Sequence, residues 1–80
     1  MAFDWRDHIV RKSTICHGAP TFKGTRVMLR QILAELSAGT DVAEIMEDYP
    51  SLTHSHIKAA IAFAAEGSID DMPLVQVDAA

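Results

Sequence analysis

Residues 41–67 contain two amphipathic segments separated by a short connection that includes a proline. Apolar residues in each segment recur at i, i+3, i+4 and i+7, the spacing of one face of an α-helix. The first segment has Val42, Ile45, Met46 and Tyr49, and the second has Ile57, Ala60, Ile61 and Ala64. The connection at Pro50, Ser51 and Leu52 is too short for anything but two helices packed directly against each other, which predicts a helix-turn-helix unit.

A further helix is predicted over residues 28–38, ahead of this unit. Its apolar face consists of Leu29, Ile32, Leu33 and Leu36. Gly39 follows at the position where a left-handed C-terminal cap is favoured. We therefore expect three helices, each with one apolar face.

Polar side chains mark where the second and third helices begin. Asp41 and Glu44 form a capping-box-like pair at the start of the second helix. Thr53 is the predicted N-cap of the third helix, but its box position holds His56 instead of an acid, which predicts a weaker start. Gly67 ends this helix.

Residues 13–27 have a different pattern, in which β-branched residues are separated by glycine and proline. The pattern predicts short strands at 14–16, 21–22 and 25–27, with turns at 18–20 and 23–24. Two short strands are not stable alone, so we expect this β-hairpin to lie on the helices or to pair with another copy of the chain.

These elements predict a mainly α fold, a three-helix bundle that contains a helix-turn-helix and follows a short β-hairpin. We divide the chain into an N-terminal arm at 1–12, the hairpin and helices at 13–67, and a C-terminal tail at 68–80. A chain of 80 residues buries only roughly 60% of its unfolded surface. We therefore expect association, most simply as a homodimer.

Several sequence features favour a cytoplasmic location. No apolar run approaches the roughly 20 residues that cross a bilayer, and the N-terminus lacks the pattern of a signal peptide. The single cysteine, Cys16, cannot form an internal disulfide, which fits a reducing compartment.

Charge is distributed unevenly along the chain. Residues 1–30 hold six of the seven basic residues but only two of the eleven acidic ones, although the net charge is -4. An anionic partner should therefore contact the first third of the chain, unless the asymmetry is ordinary surface scatter. The predicted DNA-binding residues are Arg11, Lys12, Lys23, Arg26 and Arg30.

The third helix is a poor candidate for a DNA-recognition helix. Its outer face carries Ser55, Lys58, Ala59, Ala62 and Glu66. Readout of base edges favours Arg, Lys, Asn or Gln, and this face offers one lysine.

A small, apolar helix face instead predicts a protein partner that packs on the alanines, unless the alanines serve helix propensity alone. The tail has strand character near its end, which favours pairing with a partner over a disordered end. The predicted partner-binding residues are Lys58, Ala59, Ala62, Phe63, Leu74, Val75 and Val77.

We predict no enzymatic activity, no cofactor and no metal site. His54, His56, Cys16 and His17 are the clustered soft ligands, and their spacing matches no zinc site. A nucleophilic Cys16 would lack an orienting third group, and the glycines form no phosphate-binding motif.

A resemblance to a known family rests on four stretches. The run ICHGAPTFKGTRV at 15–27, with LSAG at 36–39, YPSLT at 49–53 and IKAAI at 57–61, resembles the domain-of-unknown-function family numbered 433. The resemblance covers roughly residues 5–66. It implies a homeodomain-like three-helix fold after a β-hairpin, and a VapB-like antitoxin of a type II toxin–antitoxin pair with a PIN-domain-like ribonuclease toxin.

The chain departs from the family pattern at four positions. Ala19 stands where members typically carry lysine, Met28 where proline is frequent, and His54 and His56 where acids are common. The change at Ala19 removes a positive charge from the hairpin, which weakens the expectation of DNA affinity there.

Our leading hypothesis is a homodimeric antitoxin that neutralises its toxin by direct contact and represses its own operon by binding DNA. The competing hypothesis is a stand-alone DNA-binding transcriptional regulator without a toxin. A third is an adaptor that has lost DNA binding.

Overall fold

Three helices follow a small β-sheet along the chain. The structure is a computed structural model that describes residues 3–67 and the short strand at 74–75. The helices are α1 (Leu29–Ser37), α2 (Val42–Asp48) and α3 (His54–Glu66), and the strands are β1 (Ile9–Lys12), β2 (Pro20–Phe22) and β3 (Leu74–Val75). Single 3-10 turns occupy Trp5–Asp7 and Cys16–Gly18. The predicted order of a hairpin and then three helices is confirmed, and each helix lies close to its predicted bounds.

The sheet has the strand order β2-β1-β3. β1 and β2 are antiparallel, with Ile9 opposite Phe22 and Val10 opposite Thr21. β3 is parallel to β1, and Leu74 lies opposite Arg11. The strand character of the tail at 74–75 is therefore confirmed, and this strand pairs with its own chain. Residue 77 lies outside the described residues.

The first strand of the hairpin was predicted at 14–16, and this prediction is wrong. Cys16, His17 and Gly18 have φ angles of 50°, 57° and 82°, which place them in the left-handed region. A left-handed turn of this kind cannot continue a strand, so the chain pairs the preceding residues 9–12 instead. The turn at 23–24 is confirmed, and Gly24 supplies its positive φ of 83°.

The hydrophobic core includes residues from the stretch assigned to an arm. Trp5 is 1% exposed and Ile9 is 2% exposed. The remaining buried hydrophobic residues are Phe22, Leu29, Ile32, Ile45, Leu52, Ile57, Ala59 and Ala60. The boundary drawn at residue 12 therefore falls inside the folded domain.

The chain itself covers part of the alanine-rich face of α3. The Trp5 ring meets Phe63 edge-on, with ring centroids 5.1 Å apart, and Ala59 is fully buried. The inference that a second polypeptide must cover Ala59 is therefore wrong. The buried face is also rotated from the predicted one, because Ile61 is 51% exposed while His56 is buried.

The helix ends follow the predicted positions with one exception. Gly39 has a φ of 85°, and the N–H of Thr40 donates to the carbonyl of Glu35, as in a Schellman cap. Asp41 occupies the N-cap of α2, but its side chain makes no capping hydrogen bond, so the predicted box with Glu44 does not form.

The contact between Trp5 and the end of α3 can be tested at Gly67. A Cβ at this position would lie 2.7 Å from Trp5 Cζ2 and 2.8 Å from Phe63 Cδ1. We expect Gly67→Ala to lower the free energy of unfolding by about 1–3 kcal/mol, because the rings are already packed. In a Trp5→Phe background the loss should be smaller, since the indole carbons nearest the new methyl group are gone.

Gly39→Ala is the matched control, because it introduces strain through φ without any ring nearby. Its cost should be the same in both backgrounds, as measured by urea denaturation. An equal cost of Gly67→Ala in the two backgrounds would contradict the contact.

Candidate functional site

The turn that follows β2 is held by one threonine hydroxyl. Thr25 Oγ1 donates to the carbonyl of Phe22 at 2.9 Å and accepts from the N–H of Val27 at 3.1 Å. The backbone of Phe22 and Val27 closes the same turn at 3.1 Å. This arrangement fixes the turn while the Arg26 side chain stays exposed.

A buried histidine ties this turn to the start of α3. His56 Nδ1 accepts from the N–H of Thr53 at 3.1 Å, and Thr53 Oγ1 accepts from the N–H of His56 at 3.3 Å. The reciprocal capping box therefore forms, with His56 at the position where an acid is usual. On the other side of the ring, Nε2 lies 3.1 Å from the carbonyl of Lys23.

Only one protonation state of His56 satisfies both neighbours. Nδ1 must accept from Thr53 while Nε2 donates to Lys23, which requires the neutral Nε2–H tautomer. Burial lowers the pKa of His56, the Lys23 carbonyl opposes this by raising it, and nearby His8 lowers it further. A proton added at Nδ1 would break the hydrogen bond from Thr53.

Two grooves with basic side chains lie beside the hairpin. The wide groove, of about 570 Å³, is lined by Arg11, Cys16, His17, Gly18, Ala19, Pro20, Met28 and Arg30. The turn groove, of about 320 Å³, is lined by Val10, Lys12, Ile15, Thr21, Gly24, Thr25 and Arg26. Among the described residues, each groove is lined by two cationic side chains and by no acidic one.

A third groove continues from the wide groove and is apolar. This apolar groove, of about 260 Å³, lies between α1, α3 and the start of β2 and is lined by Ala19, Pro20, Leu29, Arg30, Leu33 and Phe63. It shares Ala19, Pro20 and Arg30 with the wide groove. A hydrophobic cleft therefore opens beside Arg30.

Comparison with family models identifies the chain. The model of the family described as "Protein of unknown function (DUF433)" matches residues 9–64. The chain belongs to the DUF433 family. Comparison with the curated proteins and with the solved structures found no match. The matched region of this DUF433 chain contains all three helices and both antiparallel strands, apart from the last residues of α3.

The predicted DNA-binding residues of the DUF433 chain fall into separate places. Arg11 and Arg30 line the wide groove, and Lys12 and Arg26 line the turn groove. Lys23 is exposed at the turn itself and lines neither groove. Arg11 is also held by its own chain, since its Nε donates to the carbonyl of Gly18 at 3.0 Å.

The predicted partner-binding residues that the structure describes differ in their exposure. Ala59 is buried in the core, and Ala62 and Phe63 are half-buried against it. Lys58 lies over the ring of Phe3, with Nζ 4.6 Å from the ring centroid. Leu74 and Val75 belong to β3, whose side chains are not described, and Val77 lies outside the described residues.

Two searches of the described residues found nothing. No set of three or more His, Cys, Asp or Glu side chains is arranged there to hold a metal ion. None of the helices in the described part of the chain has the length and apolar character needed to cross a membrane.

Two features of the site were not found from sequence. The apolar groove combines residues from three elements distant in the chain, so no local pattern indicates it. Thr21 is fully buried, and its hydroxyl has no hydrogen-bond partner within the described part of the chain. The only sequence signal was its position in a predicted strand.

His56 should make stability depend on pH. Its pKa is lowered on folding, so the unfolded chain binds the proton at higher pH than the folded chain. The stabilisation is complete above about pH 6.5 and declines as the pH falls through the folded pKa, by at most about 1.4 kcal/mol per pH unit. His56→Gln keeps a capping box but cannot titrate, so its stability should change less between pH 7 and pH 5.

His54→Gln is the matched control, because His54 is an exposed histidine at the first position of the same helix. Chemical denaturation at several pH values should show wild-type pH dependence for this control. If His56→Gln followed the wild-type curve, the role of the His56 hydrogen bonds would be refuted.

Proposed function

We propose that this DUF433 chain is the antitoxin of a type II toxin–antitoxin pair that blocks a PIN-domain-like ribonuclease by direct contact in the cytoplasm. One observation carries the proposal, namely the apolar groove that opens beside Arg30. Such a groove suits a protein partner that inserts a hydrophobic side chain and places carboxylates next to it. A ribonuclease with an acidic, metal-binding cleft presents carboxylates of this kind.

The groove offers both parts of such a contact. Leu33 and Phe63 are half-buried hydrophobic walls that a partner side chain would bury completely. Arg30 is exposed, and a guanidinium binds a carboxylate through two parallel hydrogen bonds. Arg11 lies along the adjoining wide groove and extends the basic surface in the same direction.

A homeodomain-like mode of DNA binding is less well supported than this protein contact. In that mode the second helix of the helix-turn-helix enters the major groove while the first lies across the backbone. α2 exposes Glu44, Glu47 and Asp48, with Asp41 before it, and no basic residue. These carboxylates would repel phosphates, so autorepression of the operon is proposed to use the hairpin cations instead.

The antitoxin proposal predicts which substitution breaks the complex. The chain is co-expressed with the product of the neighbouring gene, and the dissociation constant of the purified pair is measured. We expect Leu33→Gln to weaken binding by roughly 2 kcal/mol, the size of a buried interface anchor. Ile61→Gln is the control, since Ile61 is a large aliphatic residue that is 51% exposed and lines none of the three grooves.

The outcomes are distinguishable. Loss of binding on Ile61→Gln alone would move the contact to the outer face of α3 and refute the groove. If the product of the neighbouring gene does not bind the wild-type chain, the antitoxin proposal is refuted. Unfolding curves of both variants show whether a loss of binding reflects a loss of folding.

The second candidate is a DNA-binding regulator without a toxin, and the basic hairpin grooves favour it. DNA from upstream of the gene should then bind in the absence of any partner. Arg26→Ala should reduce affinity and lower the salt dependence of log K by about one unit, because one phosphate contact is lost. Lys58→Ala is the control, and a larger effect there would place the DNA on α3.

A homodimer stays a prediction and is measured separately. Within the described residues, Ile61 is the large hydrophobic side chain that remains exposed. The described residues therefore leave little exposed hydrophobic surface that a dimer would need to cover. The dimer is proposed instead for its effect on binding, since two copies would double the basic surface. Sedimentation at micromolar concentration tests it, and a single copy would refute it.

A further inference from the structure

We propose that the turn groove is a binding site for one phosphate group. Two cations from different segments line it, Lys12 at the end of β1 and Arg26 after the turn. Among the described residues that line it none is acidic, so those residues would offer a bound anion two positive charges and no carboxylate. The site is distinct from the apolar groove and does not depend on the antitoxin proposal.

The second observation is an unpaired buried hydroxyl on a residue that lines the same groove. Thr21 lines the turn groove, is 0% exposed, and its Oγ1 has no hydrogen-bond partner within the described residues. An unsatisfied buried hydroxyl costs about as much free energy as a lost hydrogen bond, so such groups are normally paired. An oxygen of a bound phosphate would accept this hydrogen bond.

The groove walls are held in place by the chain itself. Thr25 lines the groove, but its hydroxyl is already used on both sides to close the turn. His56 Nε2 contacts the carbonyl of Lys23 in the same turn, so the turn is held at a second point by α3. Thr25 therefore positions Arg26. Within the described part of the chain, Thr21, Lys12 and Arg26 are the donors that remain for a ligand.

The donor set favours phosphate over carboxylate. Three side chains from two strands and a turn converge on the groove, and a tetrahedral anion can accept from each of them with a different oxygen. A guanidinium and an ammonium group are also the side chains that most often bind phosphate in proteins. A carboxylate has two oxygens in one plane, so three donors approaching from different directions would have to share them.

The test uses inorganic phosphate as the probe. Amide chemical shifts of the full chain are followed by NMR during titration with phosphate, and with chloride at matched ionic strength. We expect saturable shifts at residues 12, 21 and 24–26 with phosphate alone. Thr21→Val, which removes the hydroxyl at nearly constant shape, should weaken binding about tenfold, as expected for a lost hydrogen bond to a charged group.

Matched variants distinguish phosphate binding in the turn groove from general attraction of phosphate to basic side chains. Arg26→Gln should also weaken binding, whereas Lys23→Gln, at the same turn but outside the groove, should not. Unfolding curves verify that Thr21→Val remains folded. If this variant unfolds, Arg26→Gln still tests the proposal, because Arg26 is exposed and its replacement should not affect folding. Unchanged phosphate binding in Thr21→Val, or equal shifts with chloride, would overturn the proposal.

Two further titrations identify the ligand class. Acetate that binds as tightly as phosphate would overturn the choice of phosphate, because it would indicate carboxylate recognition. Competition between phosphate and a short DNA duplex then assigns the source. Displacement at the same residues supports a nucleic-acid phosphate, and its absence supports a phosphate carried by a small molecule.

Discussion

Burial of Trp5 against α3 is the contact on which the rest of the fold depends. Burying a tryptophan removes roughly 150–250 Å² from water, worth at most about 4–6 kcal/mol at 25 cal/mol per Å². Its indole N–H has no partner in the described part of the chain, at a cost of about 1–3 kcal/mol. The burial exceeds this cost, and Arg6 stacks 4.5 Å from the ring centroid on the outside. The segment so anchored leads directly into β1.

Gly24, Thr25 and Arg26, within the run that carries the family resemblance, differ in what they contribute to the fold. Gly24 supplies the positive φ and the Thr25 hydroxyl closes the turn, so both are explained by the backbone. Arg26 makes no comparable contribution to the fold and points its charge at solvent. His56 reaches the same turn from α3. This turn and the third helix are therefore one unit, although they are separated by two helices in the sequence.

The sequence predicts the helices because their apolar periodicity is local and is repeated over several turns. Gly39 was recognisable as a cap for the same reason. The strand predicted at 14–16 failed because β-propensity depends on pairing, and a left-handed turn removed the pairing. The prediction that Ile61 faces the core is wrong because α3 is apolar on nearly all sides, so the pattern does not decide which side is buried. The burial of Trp5 and the three grooves depend on contacts between residues that are distant in the sequence. Local sequence patterns do not indicate such contacts.

The net charge of -4 is a poor guide to what this chain binds. At physiological salt the screening length is about 8 Å, so charges farther from a ligand contribute little. What acts on a docked group is the set of charges within its own groove. The described residues that line the three grooves include none of α2. In the proposed modes of binding, the acidic residues on α2 and the cations beside the hairpin therefore act on different ligands.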